Sequence, residues 1–150
     1  MSQISPRALL DSEAESVRRW LHLFDMATPP RVHVHGGQTM TVENFPLPDG
    51  FRPDYVDLAL LMHGFPADPP KGLYLLRTPS NAKVVDRLAK HFNVFAGKGF
   101  HGAPSIAGFE WVCVGYLSGW RYNTRQPDKG DNVWKMLAEF WRLAQDAVGG

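Results

Sequence analysis

The feature that most constrains the fold is a proline-rich connector, HGFPADPPKG, at residues 63–72. It separates two apolar segments that are typical of strands, YVDLALLM at 55–62 and GLYLLRT at 72–78. Proline has no N–H to give to a helix or to a sheet ladder, so neither kind of element continues through the connector. The sequence therefore predicts two strands joined by one rigid, irregular segment.

Two further strands are predicted ahead of this pair. RVHVH at 31–35 alternates apolar and polar residues, and TMTVENF follows at 39–45. Gly36 and Gly37 between them suit a tight hairpin turn, because glycine adopts the positive φ angles that such turns require. The four segments together predict an antiparallel four-stranded meander.

An N-terminal helix is predicted to precede the strands. Apolar residues recur at steps of three and four across residues 10–24, which gives one apolar stripe. We expect the helix to start at Ser5, as N-cap before Pro6, or at Ser12 in a capping box. We expect it to end at Thr28–Pro30, where two prolines interrupt the hydrogen-bond ladder.

Two more helices are predicted beyond the strands. SNAKVVDRLAKHF at 80–92 is amphipathic with Ser80 as N-cap, and a long C-terminal helix has Asp131 as N-cap and stops at Gly149. The region between them, which holds the only cysteine, is expected to be rich in loops. This order of elements predicts a single α+β domain over residues 1–150, with helices packed on the sheet.

Charge and composition limit the classes of partner. The 16 basic and 15 acidic side chains nearly cancel, so we expect no nucleic-acid partner and no membrane-surface partner. No apolar run approaches the ~20 residues that a transmembrane helix needs. One cysteine cannot form an internal disulfide, which suits a reducing compartment. The N-terminus mixes charges into its apolar positions, unlike a signal peptide, so a cytoplasmic protein is predicted.

The sequence carries no motif for a metal or a nucleotide. His33 and His35 share one face of a predicted strand, but two ligands do not make a site and no zinc-like spacing accompanies them. The phosphate-binding glycine patterns and the GxSxG nucleophile elbow are absent as well. We therefore expect no cofactor and no metal.

The candidate for chemistry is Cys113, in the apolar and extended segment FEWVCVGYL. Strand alternation places it with Phe109 and Trp111, which favours buried packing. The nearby glycines and the polar loop that follows favour an accessible thiol instead, and a thiolate is a strong nucleophile. Two mechanisms then compete: a hydrolase with His91 or His101 as base, and an acyl carrier that passes a thioester-linked group to an amine.

Two segments give the chain a resemblance to the ubiquitin-conjugating enzyme family, and in particular to its divergent bacterial branch. FPADPPK at 65–71 is similar to the family's Tyr-Pro-x-x-Pro-Pro-Lys motif between the third and fourth strands, and the bacterial branch has a dipeptide like Gly64-Phe65 there. AGFEWVCVGYLSGW resembles the region of the family's nucleophile, with Cys113 as the catalytic cysteine and Trp120 as its downstream tryptophan. The predicted terminal helices match the family's first helix and the helix after its active site.

The resemblance implies a transferase. An adenylating enzyme loads a ubiquitin-like protein onto Cys113 as a thioester, and an amine of a target protein takes it over, in a bacterial conjugation pathway such as antiviral defence. The mechanism implies a gate carboxylate, which orients the amine and takes up its proton. Asp128 and Asp131 lie in the loop that could supply it, and their alternative roles are a solvated loop charge and a helix cap. The implied contact surface for the activating enzyme is the polar side of the first helix: Arg18, Arg19 and His22.

The chain departs from the family at one position near the cysteine. Eukaryotic members carry a His-Pro-Asn tripeptide whose asparagine precedes the cysteine, and here that position is Ser105, with His101 further upstream. The role of that asparagine is therefore not assigned to any residue of this chain. This departure keeps a second hypothesis open, an inactive module of the same fold that binds a ubiquitin-like protein or another partner.

Overall fold

The framework of the protein is an antiparallel sheet with helices packed against it. In the computed structural model, the described residues are 5–36, 38–91, 104, 106–112 and 120–149. Within these ranges the elements are, in chain order, α1 (Pro6–Leu21), β1 (Arg31–His35), β2 (Thr39–Pro46), β3 (Tyr55–Leu61), β4 (Gly72–Leu76), α2 (Ala82–His91), β5 (Phe109–Val112), a short 3₁₀ helix (Pro127–Lys129) and α3 (Val133–Gly149).

The sheet has the strand order β1-β2-β3-β4-β5, and each strand is antiparallel to its neighbours. The α+β class and the four predicted strands are confirmed, but the predicted count of four is wrong because β5 adds a fifth strand. The reason lies in β4, whose Leu73, Tyr74 and Leu75 are all buried. A strand that is apolar on both faces needs a neighbour on its second edge, and β5 supplies it.

α1 starts where Ser5 caps it and ends earlier than its sequence predicts. The Ser5 hydroxyl accepts a hydrogen bond from the Ala8 N–H at 3.1 Å, which confirms the first of the two predicted starts. The helix ends at Leu21 and not at residues 28–30, because its last turn tightens. The Phe24 N–H bonds to the Leu21 carbonyl at 3.1 Å, and this turn brings the Phe24 ring back against the core.

α3 closes the core over the same face of the sheet as α1. Its N-cap is Asn132 and not the predicted Asp131, since the Asn132 Oδ1 accepts from the Lys135 N–H at 3.0 Å. The helix runs as far as Gly149, where the sequence places its stop. The side chains that α3 buries in the core are those of Val133, Met136, Leu137, Phe140, Ala144 and Ala147.

α2 joins β4 to β5 and packs against α3. It begins at Ala82, so the prediction of Ser80 as its N-cap is wrong by one residue. Asn81 precedes the helix instead, and its side chain accepts from the Thr78 N–H at 2.7 Å and donates to the Leu76 carbonyl at 2.8 Å. These two bonds turn the chain from the end of β4 into the helix.

Part of the second face of the sheet is covered as well. Ala59, Leu61, Tyr74 and Trp111 form a small buried cluster there, away from the main core. The Tyr74 O–H donates to the Pro104 carbonyl at 2.6 Å, so Pro104 lies beside this cluster. The strands β3, β4 and β5 are therefore buried on both faces where they pair with one another.

Arg87 of α2 supports the C-terminal end of α3. Its guanidinium donates to the Ala147 carbonyl at 3.1 Å and to the Val148 carbonyl at 2.9 Å. The same group lies 5.2 Å from the centre of the Phe51 ring. Carbonyls in the last turn of a helix have no partner inside the helix, so a cation there is favourable.

We expect Arg87→Ala to lower the free energy of unfolding by about 2 kcal/mol, because two charge-assisted hydrogen bonds are lost. Urea unfolding followed by circular dichroism measures the change. Lys83→Ala, at an exposed position of the same helix, is the matched control and should change stability by less than about 0.5 kcal/mol. Equal stability of Arg87→Ala and the wild type would contradict the anchoring role.

Candidate functional site

The predicted nucleophile and one predicted base, Cys113 and His101, lie outside the described residues, as does Ser105. β5 ends at Val112, which precedes Cys113 in the chain, and the description resumes at Trp120. Two described segments hold other residues that the sequence analysis associates with the site: the proline connector at 63–72 and the loop at residues 120–132.

The proline connector packs against Trp120 and Tyr122, which begin the loop at residues 120–132. The Trp120 indole N–H donates to the Pro66 carbonyl at 3.1 Å. The Phe65 and Tyr122 rings meet edge to face with centres 4.9 Å apart, and the Trp120 and Tyr122 rings are stacked at 6.4 Å. We call Phe65, Trp120 and Tyr122 the aromatic clamp. It joins the proline connector to the chain that follows the predicted nucleophile.

A two-bond bridge closes the base of this loop. The Arg121 N–H donates to the Asp131 Oδ2 at 2.6 Å, and the Asp131 N–H donates to the Arg121 carbonyl at 2.8 Å. A Cβ at Gly130 would come within 2.6 Å of the Arg121 carbonyl oxygen, so the two ends of the loop approach too closely for a side chain there. The two hydrogen bonds between Arg121 and Asp131 thus hold the ends of the loop together.

The two predicted gate carboxylates, Asp128 and Asp131, differ in their surroundings. Asp131 is part of the bridge at the base of the loop. Asp128 is exposed on the short 3₁₀ helix, and its backbone carbonyl accepts from the Lys135 ammonium at 2.6 Å. The same ammonium donates to the Gly130 carbonyl at 2.9 Å. Lys135 therefore fixes the backbone that presents the Asp128 carboxylate to solvent.

Glu13 of α1 is a buried carboxylate that supports the loop from inside the fold, and it is only 1% exposed. Its Oε1 accepts from the Val133 N–H at 2.9 Å, and its Oε2 accepts from the Tyr122 O–H at 3.2 Å. Val133 is the first residue of α3, so the carboxylate lies at the positive end of that helix dipole. Glu13 thereby connects α1, the loop and α3.

The sequence analysis did not single out Glu13, although the chain carries a signal for it. Glu13 follows Leu9 by four positions and Leu10 by three, and it precedes Val17 by four, so it lies on the apolar stripe of α1. A charged residue on such a stripe is buried only when it has a partner. Neither partner is near it in the sequence.

Burial raises the pKa of Glu13 above its usual value, and the hydrogen bonds from Val133 and Tyr122 offset part of this rise. Burial, followed by the charge and the hydrogen bond of Glu13, also raises the pKa of Tyr122. The negative charge of Asp128 acts on both groups in the same direction. The Tyr122 hydroxyl therefore keeps its proton and stays a donor to the Glu13 carboxylate.

Arg18 is partly exposed on the polar side of α1, but its guanidinium already has two hydrogen-bond partners. Its guanidinium donates to the Val32 carbonyl at 2.7 Å and to the Glu15 carboxylate at 2.8 Å, so it ties α1 to β1. Arg19 and His22 are exposed, as the sequence predicts. A cleft of about 530 Å³ lies beside His22, between the end of α1 and the first strand.

The histidines that the structure describes lie on β1, at the ends of α1 and α2, and in the proline connector. His33 and His35 share one face of β1, as alternation predicts, with ring centres 6.1 Å apart. His33 lies 3.4 Å from the Glu43 carboxylate, and His35 bonds to the Thr41 hydroxyl at 2.9 Å. His91 is exposed at the end of α2. In the described ranges, no three His, Cys, Asp or Glu side chains group as metal ligands do.

Comparison with protein-family models, with curated proteins and with solved structures gives no match for this chain. In the part of the chain that the structure describes, no helix combines the length and the apolar character needed to cross a membrane.

We expect Glu13→Gln to remove a pH dependence of stability. Because the folded pKa of Glu13 is raised, its favourable contribution is fully present below the ordinary value near 4.5 and is lost as the pH rises through the folded pKa. As the pH rises from about 4.5 through the folded pKa of Glu13, the wild type should therefore lose stability relative to Glu13→Gln. A glutamine still accepts from the Val133 N–H and donates to the Tyr122 oxygen, so the variant should fold.

Urea unfolding midpoints between pH 4 and pH 8 measure this difference. Glu15→Gln, at an exposed position of the same helix, is the control and should follow the wild type. Parallel curves for the wild type and Glu13→Gln would contradict the raised pKa.

Proposed function

We propose that this chain is a transferase of the ubiquitin-conjugating type. Cys113 carries a ubiquitin-like protein as a thioester and passes it to an amine of a target protein. Its partners are an adenylating enzyme, the modifier and the target, and its compartment is the cytoplasm. The proposal is supported by the sequence resemblance and by the contacts of the aromatic clamp.

One observation carries the proposal: the Trp120 indole N–H donates to the Pro66 carbonyl. The resemblance depends on two segments, one around Pro66 and one that runs through Cys113 to Trp120. The bonded residues are 54 positions apart in the sequence, and the hydrogen bond brings the two segments into contact. Two segments that contribute to one site must lie close together, as these two do.

The proposed reaction consists of two acyl transfers. In the first, the Cys113 thiolate attacks the thioester carbonyl of the activated modifier, the new C–S bond forms, and the cysteine of the activating enzyme leaves as a thiolate. In the second, a neutral amine attacks the Cys113 thioester, so that the C–N bond forms, the C–S bond breaks and the nitrogen loses a proton to a base. No atom changes its oxidation state, so the reaction needs no redox cofactor.

Within this proposal, Asp128 is the carboxylate that takes up the proton of the amine. Its side chain is at the surface of the loop, on backbone that Lys135 holds in place. Asp131 is less suited to the role because one of its oxygens already accepts the Arg121 N–H. A carboxylate near the attacking nitrogen also favours its approach by charge, since the amine becomes cationic as it attacks.

The docking surface for the activating enzyme is placed by the same proposal on the exposed part of α1. Arg19 and His22 are available there, whereas Arg18 is bonded to the Val32 carbonyl. Exposed positive charge on a docking helix speeds the encounter with an acidic partner more than it strengthens the final complex.

A second candidate is an inactive module of the same fold that binds a ubiquitin-like protein. Ser105 in place of the family's asparagine favours it, because a serine does not supply the amide donor that would support a developing oxyanion or the loop beside it. This candidate predicts a folded protein whose Cys113 forms no thioester.

We expect the wild-type chain, expressed with a tag in its native host and captured under denaturing, non-reducing conditions, to carry a protein adduct that dithiothreitol removes. Cys113→Lys should carry an adduct that resists dithiothreitol, because an amide replaces the thioester. Cys113→Ser should carry one that resists dithiothreitol but not hydroxide, because it is an ester. Gel shift and mass spectrometry of the linked peptide measure all three.

Cys113→Ala is the control and should carry no adduct. An undiminished, reducible adduct on that variant would exclude Cys113 as the carrier. A wild-type protein that is alkylated at Cys113 by iodoacetamide but never carries an adduct would favour the inactive module.

We expect Asp128→Asn to slow the transfer of the acyl group from Cys113 to free lysine by about a hundredfold, the scale of a lost general base, and to leave loading within twofold. The measurement is the first-order decay of the loaded form. Asp146→Asn, at an exposed position of α3, is the matched control. Transfer at the wild-type rate in Asp128→Asn would exclude the gate role of Asp128.

A further inference from the structure

We propose that Glu13 is a positioning residue for the transfer reaction, acting through the hydrogen bond that its carboxylate accepts from Tyr122. The inference rests on the proposed function, since it concerns how the surroundings of Cys113 are held. It assigns to α1 a part in the second acyl transfer that is separate from docking.

The burial of Glu13 gives the first reason. Among the described residues it is the only acidic side chain that is fully buried, at 1% exposure. An alanine or leucine at this point of the apolar stripe would fill a core position without burying a polar group. A carboxylate here is stable only because both of its oxygens accept hydrogen bonds, so its position follows the positions of its donors.

The two bonds of Glu13 have different consequences. The bond from the Val133 N–H caps the first turn of α3 and is a matter of helix stability. The bond from the Tyr122 O–H holds a side chain of the loop that carries Asp128. Only the second bond connects α1 to the candidate site, and it can be removed without the first.

Tyr122 connects the Glu13 carboxylate to the other two rings of the aromatic clamp. Its hydroxyl is fixed at Glu13, while its ring lies edge to face with Phe65 and stacks on Trp120. An aromatic ring held at its hydroxyl and packed against two neighbours has little freedom to slide. The carboxylate thereby sets where the loop begins and how Trp120 reaches the Pro66 carbonyl.

Tyr122→Phe isolates the positioning role from the capping role. This variant keeps the ring of the clamp and the bond from Val133 to Glu13, and it loses only the hydroxyl. Glu13→Ala removes both bonds, and Glu13→Gln keeps partners for both, because its amide accepts from Val133 and donates to the Tyr122 oxygen. Together, the three variants distinguish the effect of losing the fixed position of Tyr122 from the effect of losing the charge of Glu13.

The experiment uses a fluorescent peptide that ends in Gly-Gly as its mercaptoethanesulfonate thioester, with free lysine as the acceptor. The Cys113 thiolate displaces mercaptoethanesulfonate to load the full-length protein, and lysine then displaces Cys113. We expect loading within twofold of the wild type in all variants. We expect the discharge rate constant to fall about tenfold in Tyr122→Phe and in Glu13→Ala, and to return to within twofold in Glu13→Gln.

Tyr55→Phe and Glu15→Gln, at exposed positions of β3 and α1, are the matched controls and should discharge at the wild-type rate. Wild-type discharge in a folded Tyr122→Phe would overturn the positioning role while the proposed transfer stands. A wild type that loads no better than Cys113→Ala would overturn the proposed function, and the role of Glu13 with it. Should Glu13→Ala not fold, Tyr122→Phe and Glu13→Gln decide the question.

Discussion

The hydrogen bond between the Glu13 carboxylate and the first N–H of α3 is the contact on which the other parts of the structure depend. An ionised carboxylate taken out of water costs several kcal/mol unless other dipoles replace the solvent. Here the Val133 N–H, the positive end of α3 and the Tyr122 hydroxyl replace part of the lost solvent. α1 can bury Glu13 only when these donors are in place. The Glu13 carboxylate therefore connects α1, the loop at residues 120–132 and the first turn of α3.

The sheet supports the proline connector, on which the aromatic clamp packs. β3 and β4 are covered on both faces, by the main core on one side and by the cluster around Tyr74 and Trp111 on the other. The proline connector leaves β3 and enters β4 at this doubly covered part, so Phe65 and Pro66 start from rigid ends. The Trp120 and Tyr122 rings thus pack on a segment that is fixed by the sheet, and the Tyr122 hydroxyl is also bonded to Glu13.

The sequence predicts well what depends on neighbouring residues. Alternation in RVHVH and the Ser5 cap place β1 and the start of α1 correctly. The errors come from distant contacts: β5 is a strand because β4 needs a partner, and Asn132 caps α3 because Arg121 already occupies the Asp131 carboxylate. The donors to Glu13 are 109 and 120 positions away, so no local pattern reveals them.

The sequence separation between Glu13 and its donors also has a consequence for how the protein is made. A ribosome releases α1 long before Tyr122 and Val133, so during that interval neither donor is available to the carboxylate. α1 therefore buries Glu13 with both hydrogen bonds in place only after Val133 has emerged. The bonds that connect α1 to the loop at residues 120–132 and to α3 are therefore complete only after the chain has been synthesised through Val133.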